Sequence, residues 1–160
     1  MKIKMILPVP IPPEALAAFE AQVPTSLQRP DLQIDFCSAK NGGKILDSYY
    51  EMVLADAFVL EAGLSAEIEG YDAVCINSMS DSGLSALRSR LKIPVVGPGQ
   101  ACFLTAAMLG HRFSVVTMWD RWKPLYRKVA LELEMQSRLA SIDSIDTRPD
   151  AEELLAGKEE

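Results

Sequence analysis

The 160 residues carry 16 basic against 22 acidic side chains, a net charge of −6, and 49% of them are apolar. That apolar share is enough for a core, while the acidic balance is the opposite of what a nucleic-acid backbone or an anionic membrane surface attracts. No apolar run reaches the length of a bilayer span, and the opening run is broken at Pro8, Pro10, Pro12 and Pro13, so neither a membrane helix nor a signal peptide is expected.

In chain order, residues 2–7 predict a strand and the proline cluster after it a loop. Residues 14–22 predict a short helix with Pro12-Pro13 at its start. A second strand is expected at 32–36 and a turn at Asn41-Gly42-Gly43. Residues 47–69 have helical spacing with a break near Ala57. Residues 72–77 are apolar on both faces, as a buried parallel strand should be. A helix follows at 82–91, with Ser80 or Ser82 as its N-cap if the turn before it is an ordinary one, then a short strand at 94–96 ending in Gly97-Pro98-Gly99. Residues 100–109 predict a helix closed by Gly110. Beyond it come a strand at 113–117, a helix at 120–134, a strand at 139–145 and the start of a helix at 150–157. Strands alternating with helices predict an α/β fold with parallel sheets and right-handed crossovers. Ligands of such folds sit off the carboxyl ends of the strands, here the loops at 8–13, 77–82, 97–100 and 117–121.

Three cysteines, Cys37, Cys75 and Cys102, are widely spaced and odd in number. They suggest neither a disulfide framework nor a metal site, and they fit a reducing cytoplasm. Cys75 falls within a strand and should face the sheet packing. Cys102 reads as a small buried residue in the first turns of a helix.

Three segments resemble hydantoin racemases and their aspartate/glutamate racemase relatives: Tyr71-Asp72-Ala73-Val74-Cys75-Ile76-Asn77-Ser78-Met79-Ser80-Asp81-Ser82-Gly83-Leu84, Ile93 through Ala101, and Leu109-Gly110-His111-Arg112-Phe113-Ser114-Val115-Val116-Thr117. Ser48-Tyr49-Tyr50-Glu51 fits the same pattern. The resemblance implies two pseudo-symmetric parallel-sheet lobes, here 1–93 and 94–160. The second is expected to be incomplete, since the chain reaches Glu160 barely two turns into a helix. It also implies a homo-oligomer that needs no cofactor and acts at the carbon α to a carbonyl of a hydantoin, amino acid or related small carboxylate. One cysteine from each lobe would remove a proton from one face of that carbon and return one to the other. The C–H bond is a weak acid, so donors that stabilise the enolate matter as much as the base.

The sequence departs from this pattern at its centre. The first cysteine position is Ser78, a far poorer base than a thiol. The second cysteine is expected after a later strand, C-terminal to Glu160. Ser78, Met79 and Ser80 read either as an anion cradle of N–H groups and hydroxyls or as an ordinary strand-to-helix turn. Asp81 and Gly83 read as structural, Asp81 capping the helix. Gly97-Pro98-Gly99 reads as the turn joining the lobes. By the resemblance, Thr117 offers a hydroxyl to the substrate, and Met118 and Trp119 offer N–H donors. The alternative for Thr117 is a helix cap. Trp119 and Trp122 either line an apolar pocket or pack in a core. Val9 stands in a loop where relatives carry polar substrate-binding residues and brings only apolar contact. Tyr50 or Tyr49 would place a phenol at the cleft, with the other in the core. His111 reads as structural.

Three functions are compatible with these residues. One is a racemase or epimerase. The second is a lyase like arylmalonate decarboxylase, in which loss of CO₂ makes the enolate and a single thiol suffices. The third is a non-catalytic member that binds a small carboxylate. The racemase chemistry requires the turns at Ser78 and Thr117 to face each other across a shared hollow.

Overall fold

The computed structural model describes residues 1–150, so the helix expected at 150–157 lies essentially outside the described residues. The elements run β1 (Lys2–Leu7), α1 (Pro13–Ala21), β2 (Gln33–Ser38), α2 (Tyr49–Gly63), β3 (Ala73–Ile76), α3 (Leu84–Arg88), β4 (Val95–Val96), α4 (Pro98–Leu109), β5 (Phe113–Thr117), α5 (Lys123–Glu132) and β6 (Leu139–Ser144). A first sheet has the order β2-β1-β3-β4 and a second pairs β5 with β6. Every pairing is parallel, as the strand–helix alternation demands.

β1 is central in the first sheet, with Ile6 level with Cys37 on one side and Ile76 on the other. Ile6, Val74 and Ile76 are fully buried and pack with Val59, Leu84, Leu87 and Val95. Side chains so enclosed stabilise by roughly 1.5–3 kcal/mol each relative to exposure. The buried stripe of α2, Met52, Ala55, Val59 and Gly63, has the three-to-four spacing of one helix face, and its Val59 and Gly63 end packs on this sheet. Gly63 must lack a side chain, since a Cβ there would lie 2.7 Å from Leu87 Cδ2. The helix is unbroken at Ala57 and ends at Gly63, earlier than its spacing suggested.

The start of α2 is fixed by a serine and a glutamate three residues apart. Ser48 Oγ accepts from Glu51 N at 3.3 Å. The Glu51 carboxylate in turn accepts from the backbone N–H groups of Lys44 (3.2 Å), Ile45 (3.1 Å) and Asp47 (3.4 Å). The serine half of a capping box is thus made, while the glutamate half is given to the preceding loop instead of to Ser48 N.

The second sheet rests on Phe103, Val129 and Ala130, with Phe113, Val115 and Leu139 beside them. Phe103 meets Phe113 edge-on at 5.0 Å. The helix expected at 120–134 divides into a 3₁₀ turn (Asp120–Trp122) and α5, with Pro124 in the first turn of α5. A third apolar cluster, Leu46, Met52, Ala55 and Leu125 with Val9 and Trp122 against it, joins α2 to α5. Among the described residues, no helix is long and apolar enough to cross a membrane.

Candidate active site at the strand ends

The last ladder bond of β3 is Asn77 N to Ile6 O, 2.8 Å, and the chain then leaves the sheet at Ser78. Ser78 Oγ lies 2.6 Å from Ser80 Oγ, which lies 2.7 Å from Ser82 Oγ. Ser80 N also donates to Ser78 Oγ at 3.3 Å. The three serines therefore bond to one another rather than capping α3. The N-cap of α3 is Gly83, at φ +67°, and its N–H donates to Asp56 Oδ1 at 2.7 Å. That corrects the expectation of a serine cap. Alternate residues of a tight turn project together, so the hydroxyls found each other before they found the helix.

Asp81, between these serines, is buried and adopts φ +52°. Its carboxylate accepts from Gly99 N (2.8 Å) and Gln100 N (2.7 Å). It thus caps α4, eighteen residues away, rather than its own helix. Burial pushes its pKa up, and the two N–H donors and the charge of Lys128 pull it back. The contact also accounts for Gly97-Pro98-Gly99. A Cβ on Gly97 would overlap the Asp81 carboxylate, and one on Gly99 would lie 2.5 Å from Met79 O. With both oxygens on the backbone of α4, Asp81 is a structural anchor.

The turn is also held from the second sheet. Lys128 Nζ donates to Ser80 O at 3.1 Å and pairs with Glu132 at 3.1 Å. All the polar groups of Ser80 are thereby engaged. Of the backbone donors in the expected anion cradle, Ser80 N and Asp81 N are taken within the turn, by Ser78 Oγ and Ser78 O. Cys75 lies within β3, and burial, then the charge of Asp81, raises its pKa, so it is a poor thiolate.

At the end of β5, Thr117 is buried and its hydroxyl donates to Tyr126 OH at 3.3 Å. Thr117 O and Met118 O accept from Ile145 N and Thr147 N. Trp119 is the N-cap residue of the 3₁₀ turn, without a side-chain cap bond, and is flanked by Arg121 and Arg148 at 5.3 and 5.7 Å from its ring. Trp122 donates Nε1 to Ile45 O at 2.7 Å and packs with Val9, and Arg121 pairs with Asp47 at 2.9 Å.

An open hollow of about 380 Å³ lies against α4, β5 and α5, with Met79 of the first turn at its wall and no residue of the Thr117 turn lining it. Met79 contributes from the β3 side, Val116 and Tyr126 from the β5 side, and Cys102, Ala106 and Ser114 complete much of the wall. Of the residues singled out from the sequence, Met79 lines it. Ser78, Ser80, Thr117, Met118, Trp119 and Tyr50 do not line it, and Val9 belongs to the apolar cluster with Trp122.

Two expectations are overturned. Tyr49 and Tyr50 are 70% and 73% exposed, so neither is core; Tyr50 lies two residues off the buried stripe of α2. Cys102 is exposed rather than buried, because the buried positions of α4 are Gly99 and Phe103. Lys128, Tyr126, Asp56 and the inner role of Ser82 were not foreseen. Only Lys128 left a trace, as a cation one residue before the buried Val129 on α5.

Residues 14–160 match the Asp/Glu/hydantoin racemase family. The chain is 38% identical over 117 residues to a hydantoin racemase of Pseudomonas sp. (strain NS671), covering 73% of this chain and 47% of that protein. It is 32% identical over 97 residues to a hydantoin racemase of Rhizobium meliloti, covering 58% and 40%. It spans about half the length of these relatives or less. Its fold matches that of allantoin racemase from Klebsiella pneumoniae with a TM-score of 0.80 at 24% identity, over 92% of this chain and 59% of the other. With parallel sheets, a structured turn after β3 and a match over nearly its whole length, this chain belongs to the Asp/Glu/hydantoin racemase family.

Proposed function

We propose that the chain serves cofactor-independent proton exchange at the carbon α to a carbonyl of a hydantoin, amino acid or related small carboxylate, as a racemase or epimerase. The reading has it act in the cytoplasm as a homo-oligomer. The observation that carries it is the rigid turn at Ser78, set at the end of a central parallel strand in a chain 38% identical to a hydantoin racemase. Ser78, Met79 and Ser80 on one side, and Thr117, Met118 and Trp119 on the other, would form the substrate wall, with Val9 supplying an apolar edge. Tyr50, exposed at the first turn of α2, would contribute only if the substrate or another subunit reached it. Removing the α proton leaves an anion, and fixed donors that meet that anion lower the barrier most. Ser78 stands where the family pattern has a thiol, so the reading needs another group to carry the proton.

That same substitution supports a second reading, a lyase of the arylmalonate-decarboxylase kind. Loss of CO₂ creates the enolate without a base, and a binding turn without a thiol suits that step. A third reading is a carboxylate-binding member without catalysis. Incubation with a 5-substituted hydantoin in D₂O separates them. Deuterium at the α carbon is the racemase result. CO₂ release from an arylmalonate without exchange is the lyase result. If neither occurs while a small carboxylate raises Tm, the binding reading holds and the racemase reading is wrong.

A further inference from the structure

The direction of the three-serine chain can be settled by accounting for its hydrogens. Ser82 is fully buried, and among the described residues its hydroxyl meets one hydrogen-bonding partner, Ser80 Oγ. Were the chain to run inward, from Ser78 to Ser80 to Ser82, the Ser82 hydrogen would have no acceptor in a place closed to water. Run outward, Ser82 donates to Ser80 and Ser80 donates to Ser78, and no buried hydrogen is left unmade. Ser78 Oγ then accepts twice, from Ser80 Oγ–H and from Ser80 N–H. Both its lone pairs are engaged, and its own hydrogen remains, at a half-exposed position at the strand end.

We propose that the burial of Ser80 and Ser82 sets this polarity, making Ser78 a hydrogen-bond donor to an anionic oxygen, a carboxylate or an enolate, and unfit as a proton acceptor. This rests on the reading that the turn after β3 meets the substrate, and it deepens that reading by assigning Ser78 to anion binding instead of proton removal. Hydroxyls in series polarise one another, so the inner serines strengthen the outer donor without touching the ligand. Lys128 keeps the geometry fixed by holding Ser80 O.

The test uses the 160-residue chain and two probes, N-acetylalanine and its neutral amide, N-acetylalaninamide, titrated by calorimetry. The wild type should prefer the carboxylate. Ser78→Ala should weaken carboxylate binding by about 10-fold or more, the scale of a hydrogen bond to a charged group, and leave the amide nearly unchanged. Ser82→Ala leaves the buried Ser80 hydrogen still to be given to Ser78, so the preference should persist, weakened by about 2-fold at most. Ser78→Thr, which keeps the hydroxyl, should retain it. A general loosening of the turn would weaken both probes alike. No preference in the wild type, or a preference that survives in Ser78→Ala, overturns the proposal. If Ser78→Ala does not fold, Ser78→Cys, a weak donor of similar size, decides by the same ratio. Should the preference behave as expected while the α carbon shows no deuterium exchange, the donor assignment stands and the racemase reading falls.

Discussion

The chain turns off a parallel strand twice, after β3 at Ser78 and after β5 at Thr117, and it fixes the two turns by different means. The first is buried. Three serines bond in series, Asp81 crosses to the N-terminus of α4, and a lysine from α5 closes the outside. The second lies nearer the surface. Thr117 has a long bond to Tyr126, Asp120 bonds Lys123 and Ser144, and Trp119 sits between two arginines. A buried polar turn must satisfy every group within the protein, so each bond supports the next. An exposed one can exchange its partners with water at little loss. The first turn should therefore be the rigid wall of the site and the second the adaptable one.

The largest effect that would break this contrast belongs to Gly97. Gly97→Ala drives a Cβ into the Asp81 carboxylate and should destabilise the fold by about 3 kcal/mol, read by urea unfolding. In an Asp81→Ala background most of that penalty should vanish, a coupling a double-mutant cycle measures. Additive losses would show that Asp81 is not what dictates glycine there. Lys128→Met should cost about 1–2 kcal/mol and raise amide exchange at Ser80 and Asp81 while sparing β1. Thr117→Val, removing one hydroxyl at 3.3 Å, should cost about 1 kcal/mol or less. If Thr117→Val proved worse than Gly97→Ala, the ranking of the two turns would be reversed.

The smallest effect is a difference of sign. Burial raises the pKa of Asp81, so the folded state holds that proton more tightly than the unfolded chain. Its contribution is present at acid pH and declines as pH rises through the ordinary aspartate value towards the raised one. The pKa of Asp120 is lowered by hydrogen bonds from Lys123 and then Ser144. Its contribution is present above the ordinary value and fades as pH falls through the lowered one. Replacing each by asparagine should tilt the dependence of Tm on pH between 3 and 6 in opposite directions. The Asp120 change should be slight, since that group is open to solvent.

The strands, the parallel sheets and the order of helices were legible because they depend on local periodicity. β3 is apolar on both faces and β1 is a short apolar run closed by prolines. The start of α2 was legible to within two residues, the spacing placing it at 47 where Ser48 caps a helix that begins at Tyr49. The turn after β3 was legible only in part. Its serines were seen as candidates, but hydroxyls can bond helix, water or one another, and composition does not choose among them. Asp81 and Gly97-Pro98-Gly99 were each recognisable as turn residues. That one explains the other depends on a contact across eighteen positions, which no local pattern carries. Tyr50 and Cys102 were misplaced for a related reason: each sits beside a buried stripe, and a helix whose apolar residues run all round does not reveal which face is covered.

Glu51 bears on how ready the site is before any substrate arrives. Its carboxylate is the anion that three N–H groups of the preceding loop, at Lys44, Ile45 and Asp47, would otherwise seek from solution. The loop is accordingly self-templated. Its Ile45 carbonyl, which receives Trp122, and its Leu46 side chain, which packs near Val9, hold their places whatever phosphate or sulfate the medium contains. A ligand that reached the Val9 edge proposed above would meet a surface already cast and give up little chain entropy to shape it.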